Sequence, residues 1–313
     1  MTNQAPLSGA PLYQTWLDQT KPGTKERAVA TAVIAYAAGD AFGYAYEFEP
    51  KAIAPIPHEL RTKGDWPAGG VSDDTLLSLM SIECLNQPTP KAAGERFIAQ
   101  LHAQQDKLRG LGPTTKHALG LPVKESEQGI IGVTNGGMMR TALLGLAFID
   151  EDERRSWVRE ICSATHFRAE ALYCALIMAQ LYGSALVGRS DWNVREQLAV
   201  VMETGPIMPN DVADRAGEHT GKPSPSGVSL NPTETLLAVV DIVANSHTVW
   251  QAYENAVLAG GDTDTLCALA GALVAIRNPD SLTELGWLHQ VDWSEIPQTG
   301  ELIALINRNR EAK

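Results

Sequence analysis

The stretch on which the fold of this chain depends is Gly260-Gly261-Asp262-Thr263-Asp264-Thr265-Leu266. It places two carboxylates one residue apart, directly after a pair of glycines, and it runs into the apolar, alanine-rich segment 267–276. That segment is typical of a buried helix. The two carboxylates are therefore predicted to lie at a helix N-terminus, where the helix dipole favours negative charge.

A second stretch has the same design. Gly69-Gly70-Val71-Ser72-Asp73-Asp74-Thr75-Leu76 precedes the apolar segment 77–85, and both stretches end in Asp-Thr-Leu. Adjacent acids at one helix N-terminus are often only favourable dipole partners. Two such copies far apart in the chain are hard to attribute to chance, and clustered carboxylates repel one another unless cations neutralise them. If the two helix ends meet, they form an all-oxygen site for hard divalent cations.

Composition excludes several classes of protein. The 313 residues are 44% hydrophobic, which is ample for a full core, and the net charge of -12 without a basic patch argues against nucleic acid as a partner. No uninterrupted apolar stretch reaches about 18 residues, so no membrane span is predicted. The polar N-terminus does not resemble a signal peptide, and the scattered cysteines are predicted to be buried free thiols. We therefore expect a cytoplasmic protein.

Helical patterns dominate the chain, and strand signals are nearly absent. We predict the all-α class, with a flexible N-terminal segment over 1–23 and a single compact domain of orthogonally packed helices over 24–313. Thr24 is the predicted N-cap of the first helix. The prolines and glycines of 205–232 predict a long irregular loop. Helices are predicted over 24–42, 77–85, 91–105, 114–119, within 129–149, and over 152–164, 167–187, 192–203, 233–244, 247–258, 267–276 and 300–308.

Five sequence blocks, taken in order, resemble the ADP-ribosylglycohydrolase superfamily, the group that includes the dinitrogenase reductase-activating glycohydrolases. The resemblance extends over roughly residues 26–277, and its last block is the most specific. The blocks are 37–43 with Glu47, 72–75, 134–140, 165–166, and 260–265 continued through 272.

This resemblance implies an all-helical domain with two Mg²⁺ ions, or alternatively Mn²⁺, in a dinuclear metal cleft. In the family the metals bind the 2″ and 3″ hydroxyls of the distal ribose and place C1″ for attack. Asp264 is the best candidate to bridge both metals. Carried over by motif, the ligands would be Ser72, Asp73 and Asp74 from one helix end and Asp262, Asp264 and Thr265 from the other.

The resemblance also implies hydrolysis of the C1″ glycosidic bond of ADP-ribose attached to a protein side chain or a small molecule. The transition state would resemble an oxocarbenium ion, so a nearby carboxylate can stabilise it and deprotonate the attacking water. Glu47 is the first candidate, as base or as substrate-gating group, and Asp74 is the second. Residues implied to contact the substrate are Asn135, Gly136, Gly137, His166 and Thr114.

Three positions depart from the family pattern and leave the acceptor open. Leu111 stands where many arginine-directed members have an acidic residue, which weakens the expectation of arginine specificity. Phe167-Arg168 follows the histidine where an Asp-Pro is common, and Glu234-Thr235 replaces an Asp-Thr.

Two other functions remain open at this stage. One is a binding module of the same fold that has lost catalysis and holds ADP-ribose or a protein partner, although all the expected metal ligands are present. The other is a different all-α Mg²⁺ enzyme of the isoprenoid-synthase kind. Those enzymes need a DDxxD pattern, whereas Asp74 is followed by Thr75, Leu76 and Leu77. The aromatic content of 6% is also low for a pocket that guides a carbocation.

Overall fold

The structure, a computed structural model, describes residues 11–188, 191–204 and 226–311. Over these residues the chain forms thirteen α-helices with short 3₁₀ segments, and its only β pairing there is two isolated bridges. The all-α prediction is confirmed. The helices are α1 (Leu12–Asp18), α2 (Lys25–Gly43), α3 (Asp73–Glu83), α4 (Pro90–Gln104), α5 (Pro113–Ala118), α6 (Gly136–Thr141), α7 (Glu151–Ser163), α8 (Ala169–Val187), α9 (Val194–Thr204), α10 (Pro232–Ala244), α11 (Val249–Ala259), α12 (Thr263–Arg277) and α13 (Thr299–Glu311).

Helix α2 is the centre of the core. Thr24 caps its N-terminus as predicted, because the Thr24 hydroxyl accepts a hydrogen bond from the Arg27 amide at 3.2 Å. Every residue from 28 to 43 is buried. A helix that is apolar on all sides must be covered on all sides, and α2 is therefore surrounded by other helices.

Glycines let α2 approach the backbone of α12 directly. A Cβ atom at Gly39 would lie 2.6 Å from the carbonyl carbon of Cys267, and one at Gly43 would lie 2.6 Å from the Asp264 Cα. Any larger side chain at these two positions would push the helices apart. This close crossing holds Asp40 of α2 beside the N-terminus of α12.

The N-terminal helix α1 differs from the predicted flexible segment 1–23. Pro11 gives α1 no side-chain cap, but Trp16 and Leu17 are buried, and Trp16 packs edge-on against Trp293 at 5.6 Å. Tertiary packing rather than local sequence holds this helix. Residues 1–10 lie outside the described residues, and the boundary of the domain stays a prediction.

The predicted helix that continues to residue 149 is interrupted. Helix α6 ends at Thr141, and a 3₁₀ segment over Ala142–Leu146 follows. The Thr141 hydroxyl donates to the Gly137 carbonyl at 2.7 Å, a bond that competes with regular helix geometry. Of the predicted loop 205–232, residues 205–225 lie outside the described part of the chain, and α10 begins at Pro232.

Two described helices are long and apolar enough to cross a membrane by length and composition alone. They are α2, extended to Tyr46, and α8. Within the fold, 89% and 72% of their apolar windows are buried inside the protein. Their apolar composition is accounted for by the core, as it is for central helices in general.

Candidate metal centre and cleft

The two acidic helix ends predicted from the sequence meet in space. The Thr265 hydroxyl, in the first turn of α12, donates a hydrogen bond of 2.8 Å to Oδ2 of Asp74, in the first turn of α3. Ser72 is the N-cap of α3 and accepts from the Asp74 amide at 3.1 Å. The Asp73 amide donates to the Arg109 carbonyl at 2.9 Å. These bonds fix both helix ends at one cleft.

Glu47 joins this cleft from the turn that follows α2. Carboxylate oxygens of Glu47, Asp262 and Asp264 all lie within 4.8 Å of one another. The two aspartates are buried and Glu47 is half-buried. The neighbouring residue Phe48, at φ 51°, donates a hydrogen bond from its backbone amide to the Gly261 carbonyl at 2.8 Å. This bond anchors the turn that carries Glu47 to the residues just before Asp262.

Asp40 is a further carboxylate of the cleft. It lies in the sequence block 37–43, but the sequence did not predict it as a site residue. Its Oδ2 accepts hydrogen bonds from the amides of Ser72 (2.9 Å) and Thr75 (3.1 Å) and from the Thr75 hydroxyl (2.5 Å). Its Oδ1 is buried and has no hydrogen-bond partner among the described residues. A buried acceptor without a donor is costly, and a nearby cation would satisfy it.

Among the described residues, the acidic cluster has little positive charge to neutralise its carboxylates. Burial raises the pKa of all five aspartates, that is Asp40, Asp73, Asp74, Asp262 and Asp264, and neighbouring carboxylates raise it further for Asp73, Asp74 and Asp264. Burial, followed by the charge of Asp262, raises the pKa of Glu47 to about 7. Among the described residues only Lys63 forms an ion pair with this cluster, at 3.4 Å from Glu47. Oxygen ligands with unneutralised charge and an orphaned Asp40 oxygen fit hard divalent cations.

Asn135 lies against the cluster and orients one of its members. The Asn135 side-chain amide donates to Asp262 Oδ2 at 2.5 Å and to the Thr235 hydroxyl at 2.9 Å. Its backbone amide donates to the Leu230 carbonyl at 2.9 Å. The Asn135 side chain thus holds Asp262 in place, which is a role typical of groups that surround metal ligands.

His166 belongs to a separate buried network. Its Nδ1 lies 3.1 Å from the Arg140 guanidinium, and its Nε2 lies 2.9 Å from the Thr134 hydroxyl, which donates to Thr114 Oγ1 at 2.9 Å. Burial and the charge of Arg140 lower the pKa of His166 well below its ordinary value. Because Arg140 can only donate, the neutral ring carries its proton on Nε2.

The remaining predicted substrate contacts pack against this histidine. A Cβ atom at Gly137 would lie 2.9 Å from the Cβ of His166, and one at Gly136 would lie 3.2 Å from its Nε2. Thr114 and His166 are each 1% exposed. The structure therefore brings together the predicted metal ligands with Glu47 and Asn135. Thr114, Gly136 and Gly137 instead belong to the buried network around His166, and the contact of these four residues with substrate stays a prediction.

Sequence reasoning missed three residues beside the acidic cluster: Asp40, Lys63 and Tyr44. Asp40 gave a signal, since it is the only carboxylate in the apolar run of α2 and charged residues are seldom fully buried without a task. Tyr44 lies in the turn after α2, and Lys63 lies in the proline-rich loop beyond that turn. Neither segment has a periodic pattern that indicates which side chains return to the cleft.

These features together define an all-helical protein with an acidic cleft suited to divalent cations. The sequence model of the ADP-ribosylglycohydrolase family matches residues 20–312, so the chain belongs to that family. A solved structure described as an ADP-ribosylglycohydrolase-related protein complex is similar in fold, with a TM-score of 0.67 and 24% sequence identity. The alignment covers 91% of this chain and 98% of the other. A search among curated proteins found no match.

Proposed function

We propose that this protein hydrolyses the C1″ glycosidic bond of ADP-ribose attached to a protein side chain or a small molecule, and releases free ADP-ribose. Membership of the family supports a glycohydrolase-type reaction. The observation that carries the proposal is the position of Glu47, whose carboxylate lies within 4.8 Å of those of Asp262 and Asp264. A potential base thus adjoins the proposed metal ligands, as hydrolysis at C1″ requires.

The proposed cofactor is a pair of Mg²⁺ ions, with Mn²⁺ as an alternative. Bound divalent ions would supply Lewis-acid polarisation and orientation of oxygen groups. Residues that would hold them are Ser72, Asp73, Asp74, Asp262, Asp264 and Thr265, and the orphaned oxygen of Asp40 supports a cation close by.

The protein's own residues divide the remaining work. Glu47 would accept the proton of the attacking water and stabilise positive charge at C1″, because it is the half-buried carboxylate of the cluster and has an approach from solvent. Asp74 is the alternative base, but it is buried and accepts the Thr265 hydroxyl. Asn135 would keep Asp262 in its ligating orientation.

The cellular location proposed is the cytoplasm. The four cysteines Cys84, Cys162, Cys174 and Cys267 are all buried and unpaired, which suits a reducing compartment.

The test is release of free ADP-ribose from substrates linked through arginine, serine and an acyl ester, with Mg²⁺ and with EDTA. We expect Mg²⁺-dependent release from at least one linkage. Glu47→Gln should lower kcat by roughly 10²- to 10³-fold because the base is lost, and Asp264→Asn should abolish the response to Mg²⁺. Glu49→Gln and Asp280→Asn, at exposed acids, are the matched controls.

Two outcomes would contradict the proposal. If ADP-ribose binds tightly in calorimetry but no linkage is cleaved, the protein is a binding module of this fold. If the substrates are neither bound nor cleaved, the ligand itself is a different molecule.

A further inference from the structure

A tight turn over residues 63–66 lies beside the turn that carries Glu47. Lys63 and Trp66 form an antiparallel bridge across it, because each donates its backbone amide to the carbonyl of the other, at 3.2 Å and 2.9 Å. Gly64, at φ 57°, supplies the left-handed backbone conformation inside the turn. Residues directly opposite each other in such a pair project to the same side. The turn therefore holds the Lys63 and Trp66 side chains next to each other.

Both of these side chains pack against the ring of Tyr44, which directly follows α2. The Lys63 ammonium lies 4.8 Å from the centre of the Tyr44 ring, and the Trp66 ring stacks on the same ring at 4.0 Å. A lysine side chain is flexible when it is free in solvent, and a cation–π contact with a ring that is itself stacked restricts it. The Lys63 ammonium is thus held in one place.

Trp66 is in turn anchored to the segment that leads into α3. Its indole N–H donates to the Gly70 carbonyl at 3.2 Å, and the Arg109 guanidinium lies 4.4 Å from its ring centre. Arg109 is held by Glu295, whose two carboxylate oxygens each lie 2.6 Å from the guanidinium, and the Arg109 carbonyl accepts the Asp73 amide at 2.9 Å. The turn over 63–66 is therefore fixed to the end of α3 that carries predicted metal ligands.

Lys63 contacts Glu47 at two points. Its ammonium donates to the backbone carbonyl of Glu47 at 2.5 Å and to the carboxylate oxygen Oε2 at 3.4 Å. The first contact holds the backbone of the turn, and the second holds the direction of the side chain. Among the described residues, Lys63 is the only group that donates a hydrogen bond to the Glu47 carboxylate. Without Lys63, the half-buried Glu47 side chain would be free to adopt other rotamers.

We propose that Lys63 is a positioning residue, which holds the Glu47 carboxylate where it accepts the proton of the attacking water. The proposal rests on the proposed function, because it gives Lys63 a role only if Glu47 is the base. A general base must lie within hydrogen-bond reach of the proton that it removes, and a misplacement of about 1 Å can lower the rate by about 10²-fold. Lys63 acts on the rate entirely through Glu47.

The test is a double-mutant cycle that measures kcat and KM of the full chain with Mg²⁺, on the linkage that the wild-type protein cleaves best. Lys63→Met keeps an apolar stem but removes the ammonium, and it should lower kcat by about tenfold or more. Its KM should change by less than about threefold, because the interaction matters for the chemical step and not for substrate binding. In a Glu47→Gln background, Lys63→Met should cause no further loss of kcat, because no base remains to be positioned.

A conservative variant and a matched control separate positioning from the stability of the loop. Lys63→Arg also carries several N–H donors and should retain at least about a third of the wild-type kcat. Arg61→Met is the control, because the Arg61 guanidinium also lies over a tyrosine ring, that of Tyr46 at 5.9 Å, but forms its ion pair with Glu59. Arg61→Met should keep the wild-type kcat, and thermal melts check that each variant is folded.

Two variants of Tyr44 test the support of Lys63 and leave Lys63 itself in place. Tyr44→Leu removes the ring on which the ammonium rests and should lower kcat with little change in KM, as Lys63→Met does. Tyr44→Phe keeps the ring and should lower kcat much less. An equal loss of kcat in both variants would overturn the role of the ring.

The outcomes separate the two proposals. The positioning role of Lys63 is overturned by a wild-type kcat in Lys63→Met, by a rise in KM at unchanged kcat, or by a further loss of kcat on top of Glu47→Gln. Each of these results leaves the hydrolase proposal intact. Absence of ADP-ribose release by the wild-type protein from every linkage overturns the hydrolase proposal and this one together.

Discussion

The two carboxylate oxygens of Asp40 have very different surroundings. Asp40 is the only carboxylate in the buried part of α2, yet it accepts three hydrogen bonds from the N-terminus of α3 through a single oxygen. Its other oxygen has no donor among the residues that the structure describes. Asp40 therefore links the core helix to the N-terminus of α3, which carries predicted metal ligands, and contributes negative charge where the proposed cations would lie.

Two substitutions separate these tasks. Asp40→Asn keeps an oxygen for the three donors but removes the charge, so it should fold and bind Mg²⁺ about tenfold more weakly or worse. Asp40→Ala removes the acceptor as well and should lower the free energy of unfolding by about 2–4 kcal/mol. Calorimetric Mg²⁺ titration and urea denaturation measure the two effects. Asp106→Asn, at an exposed acid, is the control, and wild-type Mg²⁺ affinity in Asp40→Asn would refute the charge argument.

At the scale of single residues, the sequence predicted the acidic residues of the cleft better than the residues that surround them. Asp73, Asp74, Asp262 and Asp264 were found because they stand in repeated motifs, and the structure brings them together. The network of His166, Thr134, Thr114 and Arg140 joins four separate segments, and no local pattern shows which hydroxyl meets which ring nitrogen.

At the scale of elements, the crossing of α2 and α12 decides where the acidic ends lie. Gly39→Ala introduces a Cβ 2.6 Å from the Cys267 carbonyl carbon and oxygen, which are rigid backbone atoms. Although alanine favours a helix, the overpacking should lower the free energy of unfolding by about 1–3 kcal/mol and weaken Mg²⁺ binding, because the N-terminus of α12 is displaced.

Chemical denaturation and Mg²⁺ titration test this prediction. Gly129→Ala is the control, since a Cβ there meets no atom within 4 Å and the glycine does not have a positive φ. Unchanged stability in Gly39→Ala would mean that the two helices can separate at little cost.

Elements with periodic apolar patterns and caps were predicted well, and those that depend on distant partners were not. Helix α2 follows from its apolar run and the Thr24 cap. Helix α1 has no cap and is held by contacts such as that of Trp16 with Trp293, which lies far along the chain. Local propensity alone therefore could not reveal it.

At the scale of the whole molecule, the acidic cleft couples stability to pH and to metal. In the folded protein without metal the carboxyl pKa values are raised, that of Glu47 to about 7. A carboxyl group with a raised folded-state pKa favours folding at low pH, and this contribution is lost as pH rises through the folded value. Stability in EDTA should therefore fall between about pH 5 and pH 8.

Mg²⁺ should reverse this trend. Binding to the ionised carboxylates displaces protons, so the rise in Tm with saturating Mg²⁺ should be larger at pH 8 than at pH 6, and about 2.7 kcal/mol of stabilisation is expected at a hundred times the Kd. Thermal melts in EDTA and in Mg²⁺ at both pH values test this. The Asp262→Asn, Asp264→Asn double variant should lose the Mg²⁺ response, and a Tm in EDTA that does not change with pH contradicts the argument.

The pairing of α2 with α12 also has a consequence for synthesis. Helix α2 ends at Gly43, whereas α12, the helix that packs against it, ends at Arg277. Most of the chain is therefore translated between the two. At ordinary ribosome speeds this interval lasts roughly 10 to 50 s. During that time the nascent chain carries a largely apolar helix that its own later residues have yet to cover. Chaperone binding to the growing chain should therefore begin early and end only when α12 has emerged.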